Sequence, residues 1–167
     1  IDEITTMCLI PQIRSIIDVP LIAAGGIGSG GAILAAMCLG ADGVQIGSLF
    51  AASKESSAHE NFKNKIVDLQ DSETQLTLKE ITPVRLIKNE FYDEIQNAYK
   101  SNASKEELTN LLSKGRSKKG MFEGDLINGE LEIGQISASI NDITSVKEIM
   151  NNLWNDFILQ KKHILNL

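Results

Sequence analysis

The sequence predicts an α/β fold in which parallel strands are joined by crossover helices, followed by a polar, mainly helical segment and a closing helix. Three observations predict it. Two short apolar runs without alternation, "PLIAAGG" and "DGVQIGS", have the length and texture of strands covered on both faces. Helical patterns precede and separate them, which gives helix–strand–helix–strand with short connections. After Phe50 the chain turns polar and charge-rich until helical periodicity returns near Ser145.

Taken in order, "TTMCLIPQIRSIIDVP" places Cys8, Leu9, Ile13, Ile16 and Ile17 at helical spacing, with Thr5 or Thr6 as N-cap and Asp18 and Pro20 at the exit. "PLIAAGG" is the first strand. "SGGAILAAMCLGA" is the second helix, stopped by Gly40, and "DGVQIGS" is the second strand. Amphipathic helical patterns then run around 58–69, 86–100 and 104–113, the last opened by a capping box of Ser104 and Glu107. "SETQLTLKEI" alternates weakly, as a short strand would. Residues 121–142 are punctuated by glycine and read as loop. From Ser145 to about Leu159, Val146, Ile149, Met150, Leu153, Trp154 and Phe157 share one helical face, and "QKKHILNL" reads as a frayed tail. The reading divides the chain at 1–54, 55–142 and 143–167.

Bulk properties narrow the function classes. Of the 167 residues, 43% are apolar and 23% charged, the balance of a globular domain, and the net charge is −6. That charge argues against nucleic-acid partners and against attraction to anionic lipid. No run approaches the roughly 18 apolar residues of a membrane helix, and no signal peptide is visible, so a cytoplasmic location is expected. Cys8 and Cys38 lie in apolar helical runs without ligand-like spacing, which predicts reduced packing residues. Two distant histidines and these cysteines make no metal constellation.

The glycines at the strand ends carry the chemistry. Gly25 and Gly26 end one strand; Gly47, with Ser48 behind it, ends the next. A residue without Cβ lets a ligand approach the main chain, and free N–H groups near a helix start suit a phosphate. One such pair alone reads rather as a tight turn or close packing. Two pairs on consecutive parallel strands read as a grip on one anion from two sides, with the Ser48 hydroxyl as a further donor. Gly28, Gly30 and Gly31 fit the turn and the helix start. "KGRSKKG" at 114–120 is a basic cluster in an acidic chain, a solvated loop or a contact for a phosphate-bearing acyl carrier or coenzyme A.

The stretch from "TTMCLIPQIR" through "AAGGI" and "GADGVQIGS" to "KESSAHENFK" resembles the C-terminal part of the nitronate monooxygenase (2-nitropropane dioxygenase) family, which includes flavin-dependent enoyl-ACP reductases. The likeness is dense over about 3–68 and weaker at "EGDLINGELEIGQISASINDI" and the last helix. It implies the C-terminal part of a (β/α)8 TIM barrel with a small, mainly helical inserted segment, and non-covalent FMN. It also implies that Ala24, Gly25, Gly26, Gln45, Gly47 and Ser48 line the FMN phosphate, and that Gln135, in "GQI", lies near the flavin ring. Ser48 departs from the threonine usual in the family but keeps the hydroxyl.

The resemblance also indicates what to expect outside this sequence. The family's catalytic histidine stands in a Gly-Gly-His segment before the position of Ile1, so no catalytic residue is assigned here. His59 reads as a cap or surface residue and His163 as incidental. Two visible barrel strands do not close a barrel, which takes about 250 residues; a homo-oligomer or a missing N-terminal half would have to complete it. The leading expectation is an FMN-dependent oxidoreductase that oxidises alkyl nitronates with O2. The alternatives are NAD(P)H-dependent enoyl-ACP reduction on an enoyl thioester, and a non-catalytic phosphate-binding or interaction fragment.

Overall fold

A computed structural model describes residues 4–166; Ile1–Glu3 of the opening stretch and Leu167 of the tail lie outside the described residues. The chain forms two compact units. One comprises residues 1–55 with 144–167, the other 56–143.

In the first unit, α1 (Thr6–Arg14) leads to β1 (Ile22–Ala24), α2 (Gly30–Cys38), β2 (Gly43–Gln45) and the single turn α3 (Ser48–Ala51). The unit closes with α7 (Val146–Leu165). β1 and β2 are parallel, with Ile22, Ala23 and Ala24 opposite Gly43, Val44 and Gln45. Ala23, Ile10, Ile27, Ala36 and Ala41 form the buried core beside this pair. The small alanines let α2 approach the strands closely. Gly40, at φ +109°, takes the left-handed position just past the C-cap of α2. Arg14 bridges the crossover: its Nε donates to the Gly40 carbonyl at 2.8 Å and its guanidinium pairs with Asp42. Asp42 also accepts the Leu21 amide at 2.8 Å. That amide and the Arg14 charge hold the Asp42 carboxyl below its usual range.

α7 begins at a capping box, in which the Ser145 hydroxyl accepts the Glu148 amide and Glu148 accepts the Ser145 amide. It packs on α2 at Gly30. A Cβ there would lie 2.5 Å from the Leu153 carbonyl oxygen and closer still to the Phe157 amide nitrogen. Its apolar face borders a cavity of about 460 Å³ together with Met37, Val44 and Phe50, and Trp154 stacks on Phe157 at 5.8 Å.

Four expectations need correcting in this unit. α1 stops at Arg14, so Ile16 falls beyond it and stands 76% exposed. Cys8 and Cys38 are exposed, not packed; the buried residue of α1 is Ile10, about 200° around the helix from Cys8. Neither strand is covered on both faces: β1 is buried only at Ala23, which joins the core with Ile10 and Ile27, and β2 has no fully buried residue. The tail is no frayed end: α7 runs on to Leu165.

The second unit contains α4 (Glu60–Val67), an antiparallel hairpin of β3 (Thr74–Thr77) and β4 (Val84–Ile87), α5 (Glu90–Lys100) and α6 (Lys105–Leu112). A π turn at Lys118–Phe122 and a 3-10 turn at Gln135–Ser139 follow. Leu78, Leu86, Phe91, Ile95 and Leu108 form its core. Beside its helices the segment thus holds an antiparallel hairpin. β4 occupies the start of the pattern read as helix over 86–100. Its β-branched residues pair with β3, and Ile87 donates to the Leu131 carbonyl at 2.9 Å. The helix starts only after Asn89, whose side chain accepts the Tyr92 amide and donates to the carbonyls of Leu126 and Gly129. The 104–113 helix and its capping box occur as Lys105–Leu112 behind Ser104.

Candidate cofactor-phosphate site

The site grows out of the parallel register. Ala24 lies opposite Gln45, so Gly25–Gly26 and Ile46–Gly47 leave the same end of the two strands. Gly25 and Gly26 have φ of +96° and +74°, a turn that a Cβ would strain. The Thr6 hydroxyl donates to the Gly25 carbonyl at 2.8 Å and fixes the turn. Gly47 is different. Its φ of −100° and ψ of −58° suit any residue, and a Cβ built on it meets nothing within 4 Å. A Cβ built on Gly26 likewise meets nothing within 4 Å. Among the described residues, neither the Gly26 nor the Gly47 amide has an acceptor. Ser48, nearly buried, begins α3 directly behind Gly47.

At this strand end the Gly26 and Gly47 backbone is thus open where other residues would carry a side chain, a feature that suits approach of an anion. The start of α2 adds less than its position suggests. Ser29 accepts the Ala32 amide, and Asp156 of α7 accepts the Gly31 amide at 2.9 Å. Those first-turn donors are already satisfied. A carboxylate held near them keeps its own proton affinity low, through the Gln160 and Gly31 hydrogen bonds. Thr6 and Asp156 were invisible as positioning residues in the sequence, since their partners lie 19 and 125 residues away.

Gln135 lies in the other unit, exposed at the start of the 3-10 turn. It lines a polar cavity of about 550 Å³ with Arg85 and Lys88. His59 caps α4, with Nδ1 accepting the Asn61 amide at 3.1 Å, and His163 lies in the last turn of α7. The basic cluster is mostly engaged. Lys118 pairs with Glu123 at 3.1 Å and Lys119 with Asp125 at 2.9 Å, while Arg116 lies over the Phe91 ring at 4.3 Å. Glu130 is nearly buried, and burial together with the neighbouring Glu132 charge pushes its carboxyl up to about 7 against the pull of Arg116. Burial also raises Glu132. No helix among the described residues is long and apolar enough to cross a membrane.

Comparison with known proteins agrees with the resemblance seen in the motifs. Residues 1–156 match the nitronate monooxygenase family. A probable nitronate monooxygenase of Bacillus subtilis (strain 168) is 35% identical over 153 residues, which are 91% of this chain and 44% of that protein. One from Staphylococcus aureus (strain N315) is 32% identical over 160 residues, 94% of this chain and 44% of the relative. Among solved structures, FabK from Thermotoga maritima superposes with a TM-score of 0.90 at 32% identity, over 99% of this chain and 53% of that one. A nitroalkane oxidase from Streptomyces ansochromogenes gives 0.77 at 28% identity, over 96% and 46%. The chain thus spans less than half the length of these two curated relatives. With its family matched across nearly the whole sequence and its strand-end glycines on one edge, the chain belongs to the nitronate monooxygenase family.

Proposed function

We propose that this chain forms the phosphate-binding part of an FMN-dependent oxidoreductase acting on alkyl nitronates with O2. The observation that carries the reading is the parallel register that brings Gly25–Gly26 and Gly47–Ser48 to one strand end. In this reading the Gly26 and Gly47 amides donate to the phosphate oxygens, and the Ser48 hydroxyl faces the same group. Ala24 and Gln45, opposite each other at the strand ends, wall the approach. Gln135 serves near the ring. FMN, when bound, supplies the electron transfer between the organic substrate and O2. The protein's part here is binding and orientation. No proton transfer is assigned to His59, which is engaged as a helix cap, or to His163, in the last turn of α7.

A second reading, NAD(P)H-dependent reduction of an enoyl thioester, is favoured by the high structural similarity to FabK. In both readings the fold is the C-terminal part of a (β/α)8 barrel. A cytoplasmic location, and completion of the barrel by a missing N-terminal half or by oligomerisation, belong to the same proposal.

Titration of the purified chain with FMN, followed by quenching of flavin fluorescence, tests the phosphate cradle. Saturable binding that is lost in Gly47→Val supports it; equal affinity in that variant refutes it. In protein that binds the flavin, O2 uptake with a nitronate against NAD(P)H oxidation with a crotonyl thioester separates the two activities.

A further inference from the structure

The unit of residues 56–143 holds a polar cavity that has only Gln135 in common with the flavin reading. The cavity of about 550 Å³ has the size of a small-molecule site and is lined almost wholly by polar side chains. Arg85 and Lys88 face it, against the single carboxylate of Asp71. The Arg85 guanidinium is oriented in advance: one terminal nitrogen donates to the Thr74 carbonyl at 3.3 Å and to the Thr74 hydroxyl at 3.2 Å. The Lys88 ammonium has no carboxylate partner among the described residues.

The independent observation is Ser137. It lines this cavity, its residue is 0% exposed, and its hydroxyl oxygen has no hydrogen-bond partner. A buried hydroxyl without a partner is uncommon in a native protein and asks for one. A fixed guanidinium, a free ammonium and an unused hydroxyl are the donor set that recognises phosphate oxygens. The polar lining does not suit an acyl chain.

We propose that this cavity binds the phosphate group of a phosphorylated organic ligand, with Arg85 and Lys88 as counter-ions and the Ser137 hydroxyl as an inward donor. The site shares no residue with the Gly26–Gly47 cradle and does not depend on it. It is also separate from the basic cluster at 114–120, whose Lys118 and Lys119 are tied to their own carboxylates.

The test uses the full, 15N-labelled chain. Inorganic phosphate is titrated first. NADP+ is then compared with NAD+, and coenzyme A with its 3′-dephospho form. Amide shifts should appear at Thr74, Arg85, Lys88 and Ser137. In at least one pair the additional phosphate should tighten binding by about tenfold, the size of one good charge-assisted contact. The discriminating pair identifies a nucleotide or a carrier-type source. Lys88→Gln and Ser137→Ala should each erase most of that difference while circular dichroism stays unchanged. Lys88 is exposed, and Ser137→Ala removes a hydroxyl that bonds to nothing. Absence of shifts at these four residues overturns the proposal, as does discrimination that survives Lys88→Gln. Shifts confined to Gly26, Gly47 and Ser48 overturn it while leaving the flavin reading intact, so the two fail separately.

Discussion

Replacing Glu130 by Gln removes one ionisable carboxyl from the 56–143 unit and keeps the side chain's size. In the folded chain this carboxyl is 7% exposed and its pKa is raised from 4.5 to about 7. Below about pH 4.5 both the folded and unfolded chains hold the proton, and stability does not depend on the group. Between 4.5 and 7 the unfolded chain releases the proton and the folded chain keeps it, so stability falls as pH rises. Above about 7 both are ionised and the loss is complete. At about 1.4 kcal/mol per pH unit the interval amounts to roughly 3–4 kcal/mol. The assay is urea unfolding at pH 5 and pH 8. Tyr92 and Tyr99 are the only tyrosines and lie in this unit, whereas the only tryptophan, Trp154, lies in the other. The near-ultraviolet tyrosine signal therefore reports this unit. The natural chain should lose about 2–3 kcal/mol between the two pH values. Glu130→Gln should lose much less, retaining only the slope from Glu132, and should be the more stable protein at pH 8. Equal slopes in the two proteins, or a variant less stable at pH 8, would refute the reasoning.

Three further outcomes are expected. Gly47→Ala should leave urea stability within about 1 kcal/mol, since its backbone suits alanine and the Cβ meets nothing, yet weaken FMN binding about tenfold or more in a fluorescence titration. Gly30→Ala should cost about 3 kcal/mol or more, read by Trp154 fluorescence during unfolding, because the added carbon collides with the α7 backbone at Leu153 and Phe157. Ser145→Ala should cost about 1 kcal/mol in the same measurement through loss of the α7 capping box.

What the sequence determined by itself was local, or was carried by the pattern of two successive crossover units. The capping box at Ser104–Glu107 joins residues three apart, so the chain states it directly. Gly40 as a helix stop and His59 as a cap are legible for the same reason. The parallel pairing of β1 with β2 followed from alternating helices and short buried runs, and with it the placement of both glycine pairs on one edge. The tertiary structure decided everything that depends on residues far apart in the chain. β4 ran against a helical pattern because β3 on one side and Leu131 on the other offered its backbone partners. Leu78 sits at φ +54° with its amide bonded to the Tyr99 hydroxyl at 3.0 Å, a conformation that its own side chain disfavours. Gly30 reads as a helix start but serves as the contact point of α2 with α7, and Asp156 reaches Gly31 across 125 residues. The exposure of Cys8 and Cys38 and the gathering of Arg85, Lys88 and Ser137 around one cavity belong to the same class. Periodicity reports which residues share a face of an element, but only packing decides what that face meets.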